Sequence, residues 1–225
     1  KGFWGEVRKT YPFHPMFLEL IEKLAYRLPH LQRTRDAIKI AVQAVLALRE
    51  GLFDAIEDEV GLVMPYHIPV FVIEALEETI LRSPPDEYNV FRLVLKENIA
   101  NPESFDNIKK LGKKEFYEKV VARNLRDLGQ ERGGVGFKLA SIIWLHSLVG
   151  LGLPMNLGLY PTTQDLIYSV SPTDQDVKST LLILRSALPQ LIVHGDPEGD
   201  SARWFFTNIP SIEELVETLK KNVTD

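Results

Sequence analysis

The chain contains no cysteine among its 225 residues. This absence excludes disulfides, thiolate nucleophiles and cysteine-ligated zinc sites, and it is typical of proteins in a reducing compartment, so we expect a cytoplasmic location. Long apolar runs are lacking as well. The most apolar stretch, residues 139–154, is shorter than the roughly 20 residues that a bilayer span needs. We therefore expect a buried core helix there and no membrane partner.

Charge of one sign is not in large excess, because the formal net charge is −5. This balance gives no overall electrostatic preference for nucleic acid or for an anionic membrane. No spacing of acids, bases and nucleophiles indicates a catalytic set, and the scattered histidines do not suggest a metal site. We therefore predict no catalytic residue and no metal ligand in this chain.

The N-terminus lacks the apolar segment of a signal peptide, since it reads Lys1-Gly2-Phe3-Trp4-Gly5. Residue 1 is a lysine where a complete protein starts with methionine. We therefore expect a piece of a longer protein, with a further segment on its N-terminal side.

Two short clusters, each followed by an amphipathic helix, dominate the first fifty residues. The cluster Tyr11-Pro12-Phe13-His14-Pro15 precedes a helix over residues 15–28, and Leu31-Gln32-Arg33-Thr34-Arg35 precedes a second helix that Gly51 ends. Thr34 is the expected N-cap of the second helix. The residues expected on its buried side are Ile38, Ala41, Val42, Val45 and Leu48. Together the helices predict a hairpin within a first helical domain, residues 1–65.

The middle of the chain, residues 66–132, is predicted to be a helical connector. The proline-punctuated residues 64–69 indicate a linker or boundary, and helices are expected over 70–82, 88–99 and 105–128. The last of these carries the basic side chains that are candidates for nucleic-acid contact: Lys109, Lys110, Lys113, Lys114 and Arg123. Interspersed acids such as Glu115 and Glu118 favour a solvated helix face instead.

The remainder, residues 133–225, is predicted to be a winged-helix-like domain. Gly133-Gly134-Val135-Gly136 indicates a flexible joint, followed by helices from 137, over 164–170 and from about 174. Strands over 190–194 and 202–207 flank a hairpin turn, and Ser211 is expected to cap a final helix through 219. Helices followed by a hairpin are the order of a winged helix. Its second long helix starts with acidic residues, which favours protein contact over DNA contact.

The two N-terminal clusters, together with Leu145-His146-Ser147 and Arg203-Trp204-Phe205-Phe206, resemble a large family of predicted AAA+ ATPases of archaea and bacteria. Members of that family are often encoded beside DNA methyltransferases. The resemblance implies a mainly α fold: an AAA+-lid-like helical bundle, the connector and the winged-helix-like domain. It also implies ATP with Mg²⁺ as cofactor. The sequence has no G-x-x-x-x-G-K-[ST], so nucleotide would bind only through a missing N-terminal core.

The resemblance further implies a role for the arginines at the start of the second helix. An arginine at this place in an AAA+ lid, called sensor 2, contacts the γ-phosphate, and Arg35 matches it best. Arg33 is the second choice, because residues two apart on a helix face nearly opposite directions at about 100° per residue. Tyr11 and His14 are expected to line the nucleotide pocket or to form a hinge. The alternative for Arg35 is an ordinary surface ion pair.

The leading hypothesis is therefore a regulatory and coupling part of an AAA+-type ATPase, with no catalysis of its own and ATP hydrolysis in the full-length protein. Its expected partners are its own N-terminal ATPase core and neighbouring subunits of an oligomer. One alternative is a nucleic-acid-binding module that contacts DNA through the winged helix or the basic residues. The other alternative is a protein–protein interaction scaffold.

Overall fold

The computed structural model describes residues 3–56, 61–170 and 174–207, which are mainly helical with a small β-hairpin. Its α-helices are α1 (Phe3–Thr10), α2 (Pro15–Arg27), α3 (Arg33–Arg49), α4 (Ile73–Ala75), α5 (Asn89–Asn98), α6 (Phe105–Ile108), α7 (Lys113–Lys119), α8 (Arg123–Arg126), α9 (Gln130–Gly150), α10 (Thr163–Val170) and α11 (Asp174–Ala187). Short 3₁₀ segments form at Pro65–His67, Asp86–Tyr88 and Pro154–Leu159, and Leu76–Ile80 is a π-helical turn. The predicted fold class, mainly α with a small hairpin, is confirmed.

Helix α9 is the central element of the core. Residues 139–150 are buried on every side, as expected for a helix that is apolar all round. They pack against α2, α5, α10, α11 and the hairpin. The expected buried helix is thus present, although it ends at Gly150, where Leu151 adopts a left-handed conformation.

The glycines before this apolar stretch do not form the expected flexible joint, because α9 already begins at Gln130. A Cβ on Gly136 would lie 3.2 Å from Leu184 Cδ2, and one on Gly134 would lie 3.1 Å from the Tyr117 hydroxyl. The glycines therefore allow α9 to approach α11 and α7 closely. Close helix packing explains them better than chain flexibility does.

The hairpin consists of β1 (Leu191–His194) and β2 (Arg203–Phe206), paired antiparallel with Leu191 opposite Phe206. Both strands fall inside the predicted ranges. Trp204 Nε1 donates a hydrogen bond to Thr163 Oγ1 at 2.9 Å, and the Phe206 N–H donates to Ser147 Oγ at 2.8 Å. The hairpin is thus tied to α9 and α10. The helix expected after Ser211 lies outside the described residues.

The linker predicted at residues 64–69 is wrong, because residues 63–72 are all buried. His67 is fully buried, and its Nδ1 accepts a hydrogen bond from the Met64 N–H at 2.9 Å. Its ring packs edge-on against Phe53 and Tyr66. Proline punctuation indicates irregular backbone, but it does not distinguish an exposed linker from a buried segment.

The single helix predicted over residues 105–128 is also wrong, since it consists of α6, α7 and α8. Between α7 and α8 the backbone leaves the helix to pair with another segment. Val120 C=O accepts from the Asn101 N–H at 2.7 Å, and the Ala122 N–H donates to Ile99 C=O at 2.9 Å. This long-range pairing has no local signal in the sequence.

One hydrophobic cluster joins the three predicted segments of the chain. It includes Leu24 from residues 1–65, Phe71 from residues 66–132 and Trp144 from residues 133–225, all fully buried. The division into domains stays a prediction, and its three parts share this core.

Candidate interaction site at the start of helix α3

The corner between α2 and α3 sets the position of the predicted arginines. The two helices pack against each other, as the hairpin prediction requires. His30 Nε2 donates a hydrogen bond to Ile80 C=O at 2.7 Å and so holds the corner against the π-helical turn. The expected N-cap, Thr34, is wrong: the cap is Gln32, and Thr34 is an exposed residue within the helix.

A buried ion pair fixes the first turn of α3. Asp36 is fully buried, and its Oδ2 lies 2.8 Å from Arg82 Nη2, with a second contact of 3.4 Å between Oδ1 and Nη1. Asp36 Oδ2 also accepts from the backbone N–H of Gln32 at 2.7 Å. The carboxylate therefore replaces the missing side-chain cap while it binds the guanidinium of Arg82.

Sequence reasoning missed this pair. Asp36 occupies the first turn of a helix, where any acid is favourable, and Arg82 lies at the end of the helix expected over 70–82. The two residues are 46 positions apart, so no local pattern relates them. The one local signal is the acid itself, because a carboxylate in the first turn of a helix can accept hydrogen bonds from free backbone N–H groups.

Arg33 and Arg35 both lie inside α3 and are exposed. The Arg33 guanidinium lies over the Tyr26 ring, 5.0 Å from its centroid, and Arg35 Nη1 donates to Gln32 Oε1 at 3.2 Å. Neither arginine makes an ion pair with a carboxylate among the described residues. Because both arginines are helical and two positions apart, their side chains point in different directions. One phosphate therefore cannot accept hydrogen bonds from both of them within α3.

The first cluster lies at the other end of α2. His14 is the N-cap of α2, and its Nδ1 accepts from the Met16 N–H at 3.2 Å, whereas Tyr11 is 71% exposed. Burial lowers the pKa of His14 below its ordinary value. Backbone hydrogen bonds pair Pro12 and His14 with Val63. Helix α2 has 13 residues, so about 20 Å separates the two clusters at 1.5 Å per residue.

The buried side expected for α3 is wrong in part: Ala41 and Leu48 are half-buried against the core, but the other three residues are exposed. Ile38 is 59% exposed and Val42 58% exposed, while the buried residues of α3 are Asp36, Ile40, Ala44 and Ala47. Helix α3 has apolar residues on two sides, and periodicity alone does not say which side meets the core. The structure therefore leaves an exposed apolar row, here called the outer stripe, formed by Ile38, Val42, Val45 and Leu46.

A groove of about 240 Å³ adjoins the outer stripe. Leu46 belongs to both, and Val72 and Phe105 supply further apolar lining. Glu74 and Glu78 lie at the groove as well and are exposed to solvent. Sequence reasoning did not identify this groove, because α3, α4 and α6 that line it come from separate parts of the chain.

The basic residues predicted for nucleic-acid contact are exposed, and several are paired with acids. Lys109 forms an ion pair with Glu50, and Lys114 Nζ lies 3.8 Å from Glu118 Oε1. Arg123 Nε lies 3.7 Å from Asp127 Oδ2. Lys110 and Lys113 are exposed on the same segment. These pairs match the alternative of a solvated helix face more closely than that of a continuous basic surface.

The buried histidine of α9 has a structural role. His146 is 4% exposed, and its Nδ1–H donates to Leu159 C=O at 3.1 Å. Burial lowers its pKa to about 4, so the ring is neutral at pH 7. Across residues 3–56, 61–170 and 174–207, no group of three histidine, aspartate or glutamate side chains could hold a metal ion.

The fold and the site define a mainly helical domain with a C-terminal hairpin and an arginine-bearing helix that exposes one apolar side. Among the helices that the structure describes, none is long and apolar enough to cross a bilayer. The sequence model of the DUF499 second domain matches residues 1–206, and the chain therefore belongs to this family. No curated protein and no solved structure matches the chain.

Proposed function

We propose that this chain is a coupling domain of an AAA+-type ATPase and that Arg35 contacts nucleotide held by another domain. The supporting observation is an exposed arginine, with no carboxylate partner among the described residues, in the first turn of a helix whose start is fixed by the buried Asp36–Arg82 pair. The partial positive charge of a helix N-terminus adds to the attraction for an anion.

A preceding domain would supply the rest of the nucleotide site. The description of the family as a second domain supports such an arrangement. ATP and Mg²⁺ would bind to that domain, and the planar guanidinium of Arg35 would stabilise negative charge on the transferring phosphoryl group. Arg33 is less suited to this role because it lies over Tyr26. Tyr11 and His14, at the far end of α2, suit a hinge better than a phosphate contact.

The test compares Arg35 variants of the full-length protein in a steady-state ATP hydrolysis assay. Arg35→Ala should lower kcat by about tenfold or more, because an arginine of this kind acts on the transition state. Arg35→Lys should recover only part of the activity, since an ammonium group cannot bind a phosphate in two places.

The matched control is Arg185→Ala, which removes an exposed arginine from α11. It should leave kcat within about twofold of the parent, within the scatter expected for a surface substitution. Circular dichroism establishes that each variant is folded. Hydrolysis that is unchanged in the folded Arg35→Ala protein would contradict the sensor role.

The nucleic-acid alternative has weaker support, because Lys109, Lys114 and Arg123 already contact carboxylates. Titration of the chain with duplex and single-stranded DNA at two salt concentrations tests it. Binding that weakens steeply with salt would favour it over the coupling role. The absence of such binding would remove it.

A further inference from the structure

The side of α3 that carries the outer stripe has a regular spacing of residues from one end of the helix to the other. Arg35, Ile38, Val42, Val45 and Arg49 succeed one another at alternate steps of three and four residues, so they share one side of the helix. This is the spacing of residues that meet a second helix in a coiled coil. Ile38, Val42 and Val45 are 59%, 58% and 41% exposed. The side of α3 that faces away from the core thus has the pattern of an unfilled helix interface.

The exposed charges that α3 itself carries along this side have one sign, whereas Glu74 and Glu78 border the groove beside it. Arg35, Lys39 and Arg49 lie on or beside the outer stripe, and none of them forms an ion pair within the described part of the chain. The only carboxylate of α3 is Asp36, which is buried against Arg82. Carboxylates beside the apolar residues of a partner would pair with these cations, whereas basic residues there would be opposed by like charge.

A second copy of the chain does not satisfy this requirement. In a two-fold pair of α3 helices the same surface meets itself. A parallel pair sets Arg35 opposite Arg35, and an antiparallel pair sets Arg35 opposite Arg49. Both arrangements place like charges together, which disfavours self-association through the stripe.

A bilayer surface is also a poor fit. A basic amphipathic helix can lie on anionic lipid, but the groove beside Leu46 is concave and is bordered by Glu74 and Glu78. A flat bilayer surface does not fill a recess of about 240 Å³. A side chain projecting from a docked helix does fill such a recess.

We infer that the outer stripe is the docking site for an amphipathic helix with glutamates or aspartates beside its apolar residues, facing the cations of α3, and with one of its apolar side chains in the groove that Glu74 and Glu78 border. The inference goes beyond nucleotide contact by Arg35 and does not depend on it. Helix-in-groove binding of this kind uses apolar anchors for affinity and the flanking charges for orientation and partner choice.

Designed helical peptides provide the test, with binding to the full chain followed by fluorescence anisotropy. One three-heptad peptide has leucine at its a and d positions and glutamate at the flanking e and g positions, and its counterpart has lysine there. A third peptide has the composition of the first in scrambled order. The unaltered chain should bind the glutamate peptide about tenfold or more tightly than the other two, and this preference should shrink as salt is added.

Two kinds of variant locate the binding on α3. Val42→Glu should weaken binding of the glutamate peptide about tenfold or more, whereas Leu93→Glu, on the equally exposed Leu93 of α5, should change it by less than about twofold. The double charge reversal Lys39→Glu with Arg49→Glu should invert the preference in favour of the lysine peptide. A general loss of structure would not produce this inversion.

Several results would overturn the inference. One is equal binding of the glutamate, lysine and scrambled peptides, or no binding of any of them. Another is a concentration-dependent dimer in sedimentation velocity that Val42→Glu dissociates, which would assign the stripe to a second copy. A third is binding to phosphatidylglycerol vesicles that Val42→Glu abolishes, which would assign it to a membrane surface. None of these variants alters Arg35, so the outcome is separate from that of the ATPase test.

Discussion

The buried Asp36–Arg82 pair allows a quantitative prediction, because its two partners differ in exposure. The Asp36 side chain is fully buried, whereas the Arg82 side chain is 31% exposed. Arg82→Ala leaves a buried carboxylate without its cation, and breaking such a pair costs about 3–5 kcal/mol. Asp36→Ala leaves a guanidinium that can turn toward water. Its cost is about 2–3 kcal/mol and includes the loss of the acceptor for the Gln32 N–H.

The double variant Asp36→Ala with Arg82→Ala tests whether the two residues are energetically coupled. With both groups removed no buried charge remains, so the loss should fall well below the sum of the two single losses, by about 2 kcal/mol or more. Urea unfolding followed by circular dichroism at 222 nm measures all three variants. The control cycle uses Lys114 and Glu118, whose side chains are 88% and 56% exposed and whose coupling should stay below about 1 kcal/mol. Additive losses for Asp36 and Arg82 would refute the reasoning.

Further predictions concern α9 and its neighbours. The pKa of His146 is about 4 in the folded protein, against 6.5 ordinarily, so the unfolded chain binds a proton that the folded chain does not. The contribution of neutral His146 to the free energy of unfolding should therefore be fully present above pH 6.5 and should fall by on the order of 3 kcal/mol toward pH 4. Urea unfolding at a series of pH values measures this loss, and His146→Gln should remove it. Gly150→Ala should destabilise by about 3 kcal/mol, since a Cβ there would lie 2.2 Å from Tyr160 Cε1, while Gly158→Ala, with nothing within 4 Å, should change thermal unfolding little. Ser147→Ala should cost about 1–3 kcal/mol and speed hydrogen exchange of the Phe206 amide, whose hydrogen-bond acceptor it removes.

The parts of the fold that sequence predicted well have local signals. The turn from Gly195 to Asp200 lies between two β-rich runs, and the hairpin formed where it was expected. Residues 139–150 form a mainly apolar run, so their burial could be predicted without knowing which elements pack against them. Pro15 at the first turn and Pro29 after the last bounded α2 almost to the residue.

The parts that failed depend on contacts between distant segments. Helix α3 offers two apolar sides, and the choice of Ile40, Ala44 and Ala47 as the buried one is made by the elements that pack on it. The break between α7 and α8 arises because Val120 and Ala122 pair with the segment after α5. For the candidate site, the sequence identified Arg33 and Arg35, but the anchor formed by Asp36 and Arg82 is visible only in the structure.

Helix α3 reverses the usual distribution of side chains in two respects. It buries a carboxylate, which is costly even when paired, and it exposes isoleucine and valine, which gains nothing from the hydrophobic effect. Neither feature improves the stability of the chain by itself, and local departures of this kind concentrate at functional sites. A single role accounts for both. The buried pair holds the helix in a fixed position, and the exposed side is then presented rigidly to a partner, which reduces the entropy lost on docking.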